Sequence, residues 1–156
     1  MPKPLIDVES VINSNCKCLT KIDKARANKE NISDDFEHVE TGVIIESKRA
    51  ATTVNQVHPL KADVVIVSKS DNEHIALTMG ELFPLLKRQH SHHKWDCANA
   101  SSKSVNDNYG PWISNDNLNI AVEFAVARAL DDVSFKQKQQ QVRKLMGGFH
   151  EQLDSI

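Results

Sequence analysis

The sequence predicts an α+β protein: an antiparallel meander of three to four strands at about residues 42–78, packed by helices, in a single domain spanning 1–156. Three observations predict it. "TGVIIES", "ATTVNQV", "ADVVIVSK" and "EHIALTM" follow one another as short β-branched or apolar runs. Their connections are short, and parallel crossovers need about a dozen residues or more, so the expected pairing is antiparallel. Finally, "DNLNIAVEFAVARALDD" reads as an alanine-rich apolar helix at about 116–131, and a polar C-terminal helix follows it.

Taken in order, residues 5–22 place Leu5, Val8, Val11, Ile12, Leu19 and Ile22 at spacings that predict a short amphipathic helix starting near Asp7. "DKARANKENISDDFEHVE" is charged and poorly periodic, and reads as a solvated helix or a loop. Within the strand region, Val64 to Val67 form one apolar run, which suits a strand buried on both faces.

Thr78 and Glu81 have capping-box spacing, so a helix is expected from Met79. Pro84 would remove a hydrogen bond inside it. The helix therefore kinks there or begins with Pro84 at its first position, and runs on through "LLKRQHSHHKW". Residues 96–115, rich in Asn, Ser and Asp, read as a long irregular loop holding Tyr109 and Trp112. The 116–131 helix, capped by Asn115 or Asp116, is apolar nearly all round and is expected to be buried nearly all round, as a core helix or a subunit contact. Ser134 caps the last helix, where Phe135, Val142 and Phe149 recur every seven residues before and beyond Gly147–Gly148.

Composition narrows the function classes. With 156 residues, 40% apolar and 26% charged, the chain is a folded protein rather than a disordered one. A net charge of −2 offers no broad field for capturing nucleic acid or an anionic membrane. No apolar run approaches the roughly 20 residues that span a bilayer. "MPKPLIDVES" lacks an apolar core, so a secretory signal is not expected. Three cysteines, two of them only two positions apart, read as reduced thiols of a cytoplasmic protein.

Three stretches carry candidate chemistry. If a helix continues through "RQHSHHKWDC", then His90, His93 and Cys97 share one face and could hold Zn²⁺, with Cys16 or Cys18 as a conceivable fourth donor. The competing reading is a helix end, where histidines suit the negative pole of the dipole. In "GVIIESKRA", the strand ends in Glu46-Ser47-Lys48. That triplet resembles the E-x-K half of the PD-(D/E)xK nuclease motif. The resemblance implies Mg²⁺ held by Glu46 and an acid such as Asp35 (or Asp34), with Lys48 beside the attacking water. The competing reading is a same-face ion pair on a strand. The third stretch is the loop with Tyr109 and Trp112, which serve either as anchors for a partner or as caps folded back on the core.

No phosphate-binding glycine loop and no GxSxG elbow is present. The expected function is accordingly a non-enzymatic interaction or structural subunit, working through protein–protein contacts in a homo-oligomer or a larger assembly, of a size that a virus or mobile element would use. Tyr109, Trp112, Phe135, Val142 and Phe149 are its contact candidates. No cofactor is favoured. A Mg²⁺-dependent nuclease (Asp35, Glu46, Lys48) and a zinc-stabilised binding module (His90, His93, Cys97) are the alternatives.

Overall fold

The structure is a computed structural model, and it describes residues 7–145. Asp7 opens the first helix by accepting the Ser10 N–H at 3.1 Å, and α1 runs Val8–Asn15. It stops short of the expected residue 22, because the chain turns at Cys16 into strand β1, Leu19–Lys21. The ambiguous segment that follows holds both helix α2, Lys24–Glu30, and strand β2, Phe36–His38. Asn31 ends α2 in the left-handed conformation that asparagine tolerates. Strands β3 (Ile44–Arg49), β4 (Thr53–Val57), β5 (Val64–Ser70) and β6 (Glu73–Thr78) occupy the four predicted runs.

Their topology is not a simple meander. A five-stranded sheet has the order β1-β2-β3-β5-β6, and β3 pairs with β5 in parallel. The remaining neighbours in that sheet are antiparallel. Residues 50–63 supply the length that a parallel crossover needs. Within them β4 leaves the first sheet and pairs with a remote strand, β8 (Ala98–Ser101), in a three-stranded sheet β4-β8-β7, where β7 is Lys87–Arg88.

Alternation in β5 divides the core. Val64 and Ile66 join Phe36, Ile45, Val8 and Ile12 under α1 and α5, the latter running Asn115–Asp131. Val65 and Val67 join Ile75, Leu77, Val54, Ala98 and Ala100, so that the second sheet covers the other face. That is why the run reads as continuously apolar.

Three further expectations need correction. The Thr78/Glu81 capping box forms, and α3 runs Met79–Leu82. Pro84 then sits in a 3₁₀ turn, Phe83–Leu85, after which the backbone is extended. No helix spans 86–97. The stretch 96–115 is not a long irregular loop, since it holds β8 and helix α4, Ser102–Tyr109, capped by Ser101. Helix α5 is buried on one side only: Leu118, Val122, Ala125 and Val126 face the sheet, while Ile120, Phe124 and Leu130 are exposed.

The last helix, α6 (Val133–Leu145), is polar as expected. It docks through Val142 and half-buried Phe135 against Trp95 and Leu60. Gln139 donates to the Pro59 carbonyl at 2.7 Å and Arg143 to that of Leu60.

Candidate active site

The antiparallel register of β2 and β3 sets Phe36 beside Ile45 and Glu37 beside Ile44. One step further along the same register, Asp35 lies across from Glu46. Asp35 is buried, and its Oδ2 accepts the Ser47 N–H at 2.9 Å. Glu46 is buried too, with Lys48 Nζ 3.1 Å from its Oε1. The other carboxylate oxygen, Oε2, has no hydrogen-bond partner. Of the three residues that the E-x-K resemblance singled out, Glu46 and Lys48 are in direct contact, whereas Asp35 is bonded to Ser47 and Glu9.

A fourth group comes from α1. Glu9 shares a hydrogen bond with Asp35 and is also paired with Lys21 at 2.7 Å. Burial, then the Glu9 carboxyl, pushes Asp35 up to about 7, with the charge of Glu46 acting in the same direction. Glu9 is held below its ordinary value, first by the hydrogen bond with Asp35 and then by Lys21, against the opposing effect of burial. The proton of the pair thus resides on Asp35. Burial also raises Glu46, opposed by Lys48, His58 and Lys61. A buried carboxyl pushed upward beside a polar cleft is a candidate functional group, although structural ion-pair networks shift carboxyls in the same way.

The cleft lies on the Glu46 side. Ser33, Asp34, Glu46, His58 and Lys61 line a cavity of about 210 Å³. His58 and Lys61 also line a larger one, about 530 Å³, with Gln56, His92, Trp95 and Cys97. His58 is oriented by its ring Nδ1, 2.7 Å from the Asp96 carbonyl. Sequence reasoning missed Glu9, His58 and Lys61. Glu9 reads as an ordinary acidic residue in a first helical turn, and nothing local distinguishes the other two.

The histidine stretch is arranged differently from its sequence reading. His90 sits in a turn with a positive φ of 49°. His93 is buried and accepts the Trp95 N–H at 3.1 Å. Cys97 is buried, its thiol donating to Gln89 at 3.1 Å. The common helical face that would align His90, His93 and Cys97 is not formed.

Among the contact candidates, Tyr109 is half-buried, its hydroxyl donating to the Glu81 carbonyl at 2.7 Å, and Trp112 packs against the second core cluster. Phe135 and Val142 pack within the chain, and Phe149 lies outside the described residues. A Ser68–His74–Asn115 chain joins hydroxyl to imidazole at 2.7 Å and imidazole to amide at 2.6 Å. Ser68 and His74 are both 0% exposed, so this is a buried polar pin with no access for a substrate. No helix of the described residues is long and apolar enough to cross a membrane. No protein family, curated protein or solved structure matches this chain.

Proposed function

We propose that this protein is a divalent-metal-dependent phosphodiesterase acting on nucleic acid. The observation that carries the reading is the buried, unpartnered Oε2 of Glu46, whose Oε1 lies 3.1 Å from Lys48 Nζ. A buried carboxylate oxygen without a donor costs about 1–3 kcal/mol, and a cation relieves that cost. The donor set is all oxygen, which suits Mg²⁺ or Mn²⁺; Mg²⁺ commonly takes one or two carboxylates and keeps its waters. Asp35 and Glu46 would hold the ion, and when bound it supplies Lewis acidity toward a phosphate oxygen.

The remaining roles fall to the chain itself. Lys48 orients the attacking water and places positive charge where the phosphate gains negative charge. Glu9 holds the side chain of Asp35 toward β3 and carries the negative charge when Asp35 is protonated. Lys61 and His58 line the path on which a phosphate backbone would lie, contacts that position a strand without reading its sequence. The net charge of −2 makes binding weak and local rather than broad.

The test incubates single- and double-stranded DNA and RNA with the full chain in Mg²⁺ or Mn²⁺. Cleavage is expected, abolished by chelation and reduced at least ~10²-fold in Glu46→Gln and Lys48→Ala, as when one electrostatic stabiliser of a transition state is removed. Absence of cleavage on all four substrates, together with unchanged Mn²⁺ binding in Glu46→Gln, overturns the reading.

A second reading, as a protein–protein contact subunit, is supported by one observation. Ile120 and Phe124, one turn apart on α5, are 56% and 63% exposed. Light scattering decides it: an oligomer that Phe124→Ser dissolves supports the contact, and a wild-type monomer removes it.

A further inference from the structure

We infer that a second metal site, distinct from the carboxylate site and independent of the nuclease reading, joins α5 to the edge of the large sheet: Cys18, His38 and Glu123 form a zinc-binding trio. Their ligand atoms, one each, all lie within 4.8 Å of one another. Among the described residues they are the one such group of three or more. In a tetrahedral zinc complex the ligand atoms stand about 3.3–3.7 Å apart, since the bonds are about 2.0–2.3 Å. The direct His38–Glu123 contact is closer than that, so small side-chain rotations open it to admit the ion.

The fold makes this meeting specific. Pairing of β1 with β2 places Leu19 beside His38, and the Val39 N–H donates to the Cys18 carbonyl at 2.9 Å. That fixes Cys18 against the end of β2. Glu123 arrives from the other side, on α5, 85 residues along the chain from His38.

The hydrogen bonds explain why a cation fits. His38 Nδ1 is 2.8 Å from the Thr41 hydroxyl oxygen, which also accepts the Val43 N–H. The hydroxyl can accept from Nδ1–H as well as from Val43, and in that tautomer the Nε2 lone pair faces the trio. Nε2 contacts the Glu123 carboxylate directly, and the Cys18 thiol bonds to the same carboxylate. Two electron-rich groups facing each other need a proton or a cation between them.

Zn²⁺ satisfies the trio completely. Thiolate and carboxylate neutralise its two charges, imidazole adds a neutral donor, and the Cys18 proton is released to solvent as the bond forms. Sulfur and nitrogen donors select a softer ion than the all-oxygen site at Glu46 does. Glu123 has 44% of its side chain exposed, which leaves room for water as the fourth ligand. Thr41 then acts as the outer partner that metal-bound histidines ordinarily have.

The experiment uses the full chain, stripped with a chelator and titrated with Co²⁺ as the probe. Expected are about one equivalent of tetrahedral Co²⁺ with a thiolate-to-cobalt charge-transfer band, bleached when Zn²⁺ is added, and a Tm that rises with Zn²⁺. Cys18→Ser removes the band, Thr41→Val weakens Zn²⁺ affinity roughly tenfold, and Glu46→Gln leaves the band unchanged. Should Cys18→Ser fold poorly, Glu123→Gln, on the exposed side of α5, weakens the same binding with an unchanged circular dichroism spectrum. A wild-type protein that shows no charge-transfer band, or a band that survives Cys18→Ser, overturns the site and leaves a hydrogen-bonded trio.

Discussion

At the residue scale, Asp35 shows what a site of this kind costs the fold. Its carboxyl titrates at about 7 in the folded chain against an ordinary 3.8, because of burial first and the Glu9 carboxyl second. The folded state therefore holds a proton that the unfolded state has already lost. The contribution of Asp35 to stability falls as pH rises from about 4 to about 7 and levels off above that, partly offset by Glu9, which the same pairing holds down. Asp35→Asn removes the ionisation while keeping an oxygen that can accept the Ser47 N–H. The variant is expected to match or fall below the wild type at pH 4, and to exceed it at pH 8 by an amount of order 2 kcal/mol, screening by nearby cations included. Thermal melts of both proteins from pH 4 to 8 check this, and a gap that stays constant with pH contradicts it. Added Mg²⁺ should narrow the gap at pH 8, since only the wild type gains a ligand for its charge. Under the proposed function, Asp35→Asn would lose activity while gaining stability at neutral pH, as expected where strain is kept for function. Of the site's members, Glu46 and Lys48 were legible because a spacing of two puts them on one strand face. Asp35 is named only together with Asp34, as the acid the resemblance lacks, because the strand that follows it was not legible. Glu9 and the Cys18–His38–Glu123 group were not, since they meet through space and leave no local pattern.

At the element scale, strands were easier to locate than to pair. β-branched runs mark β3, β5 and β6, whereas the partner of β4 is β8, some 43 residues on (Gln56 N–H to Asn99 Oδ1, 2.9 Å). No periodicity reports such a pairing, and without it β3 and β5 cannot be recognised as parallel neighbours. Helix α5 shows the opposite difficulty. Its many alanines and valines suggest burial all round, yet Ile120 and Phe124 face outward, because one sheet can cover only one side of a helix. Helix α6 inverts the lesson: it looks solvated, yet it is fastened by few residues. Val142 is 0% exposed against Leu60 and Trp95, and Trp95 stacks on Phe135 with ring centroids 5.5 Å apart. Val142→Ala is expected to lower stability by about 2 kcal/mol, the loss of a fully buried branched side chain plus the space it leaves. Gln140→Ala, on an exposed position of the same helix, should change it by less than about 0.5 kcal/mol. Urea denaturation of the two variants measures both. Equal effects would mean that α6 is held by its polar contacts alone.

At the scale of the whole molecule, the two sheets meet around β3 and β4, and the cleft opens at that junction. Glu46 reaches it from the large sheet. His58 and Lys61 come from the crossover, and Trp95 and Cys97 from the segment leading into β8. The parallel pairing of β3 with β5 is thus what brings Glu46 and a set of basic side chains to one place, because the crossover it requires passes through the second sheet. This arrangement fixes how the protein should meet a phosphate backbone. With a net charge of −2, attraction at long range is absent, and binding relies on the few cations at the cleft. Each phosphate neutralised contributes about −0.9 to the slope of log affinity against log salt on duplex DNA. Lys48 and Lys61 would then give a slope of about −2, far shallower than that of a protein gripping many phosphates. Lys61→Ala should lower the magnitude by about 1 and weaken binding to all sequences alike. Fluorescence anisotropy on a catalytically silent Glu46→Gln protein, across a salt series, measures both effects. A slope near zero would remove the phosphate backbone as the ligand of this cleft. A steep slope that Lys61→Ala leaves untouched would move the binding surface elsewhere, toward the exposed Lys87 and Arg88 of β7.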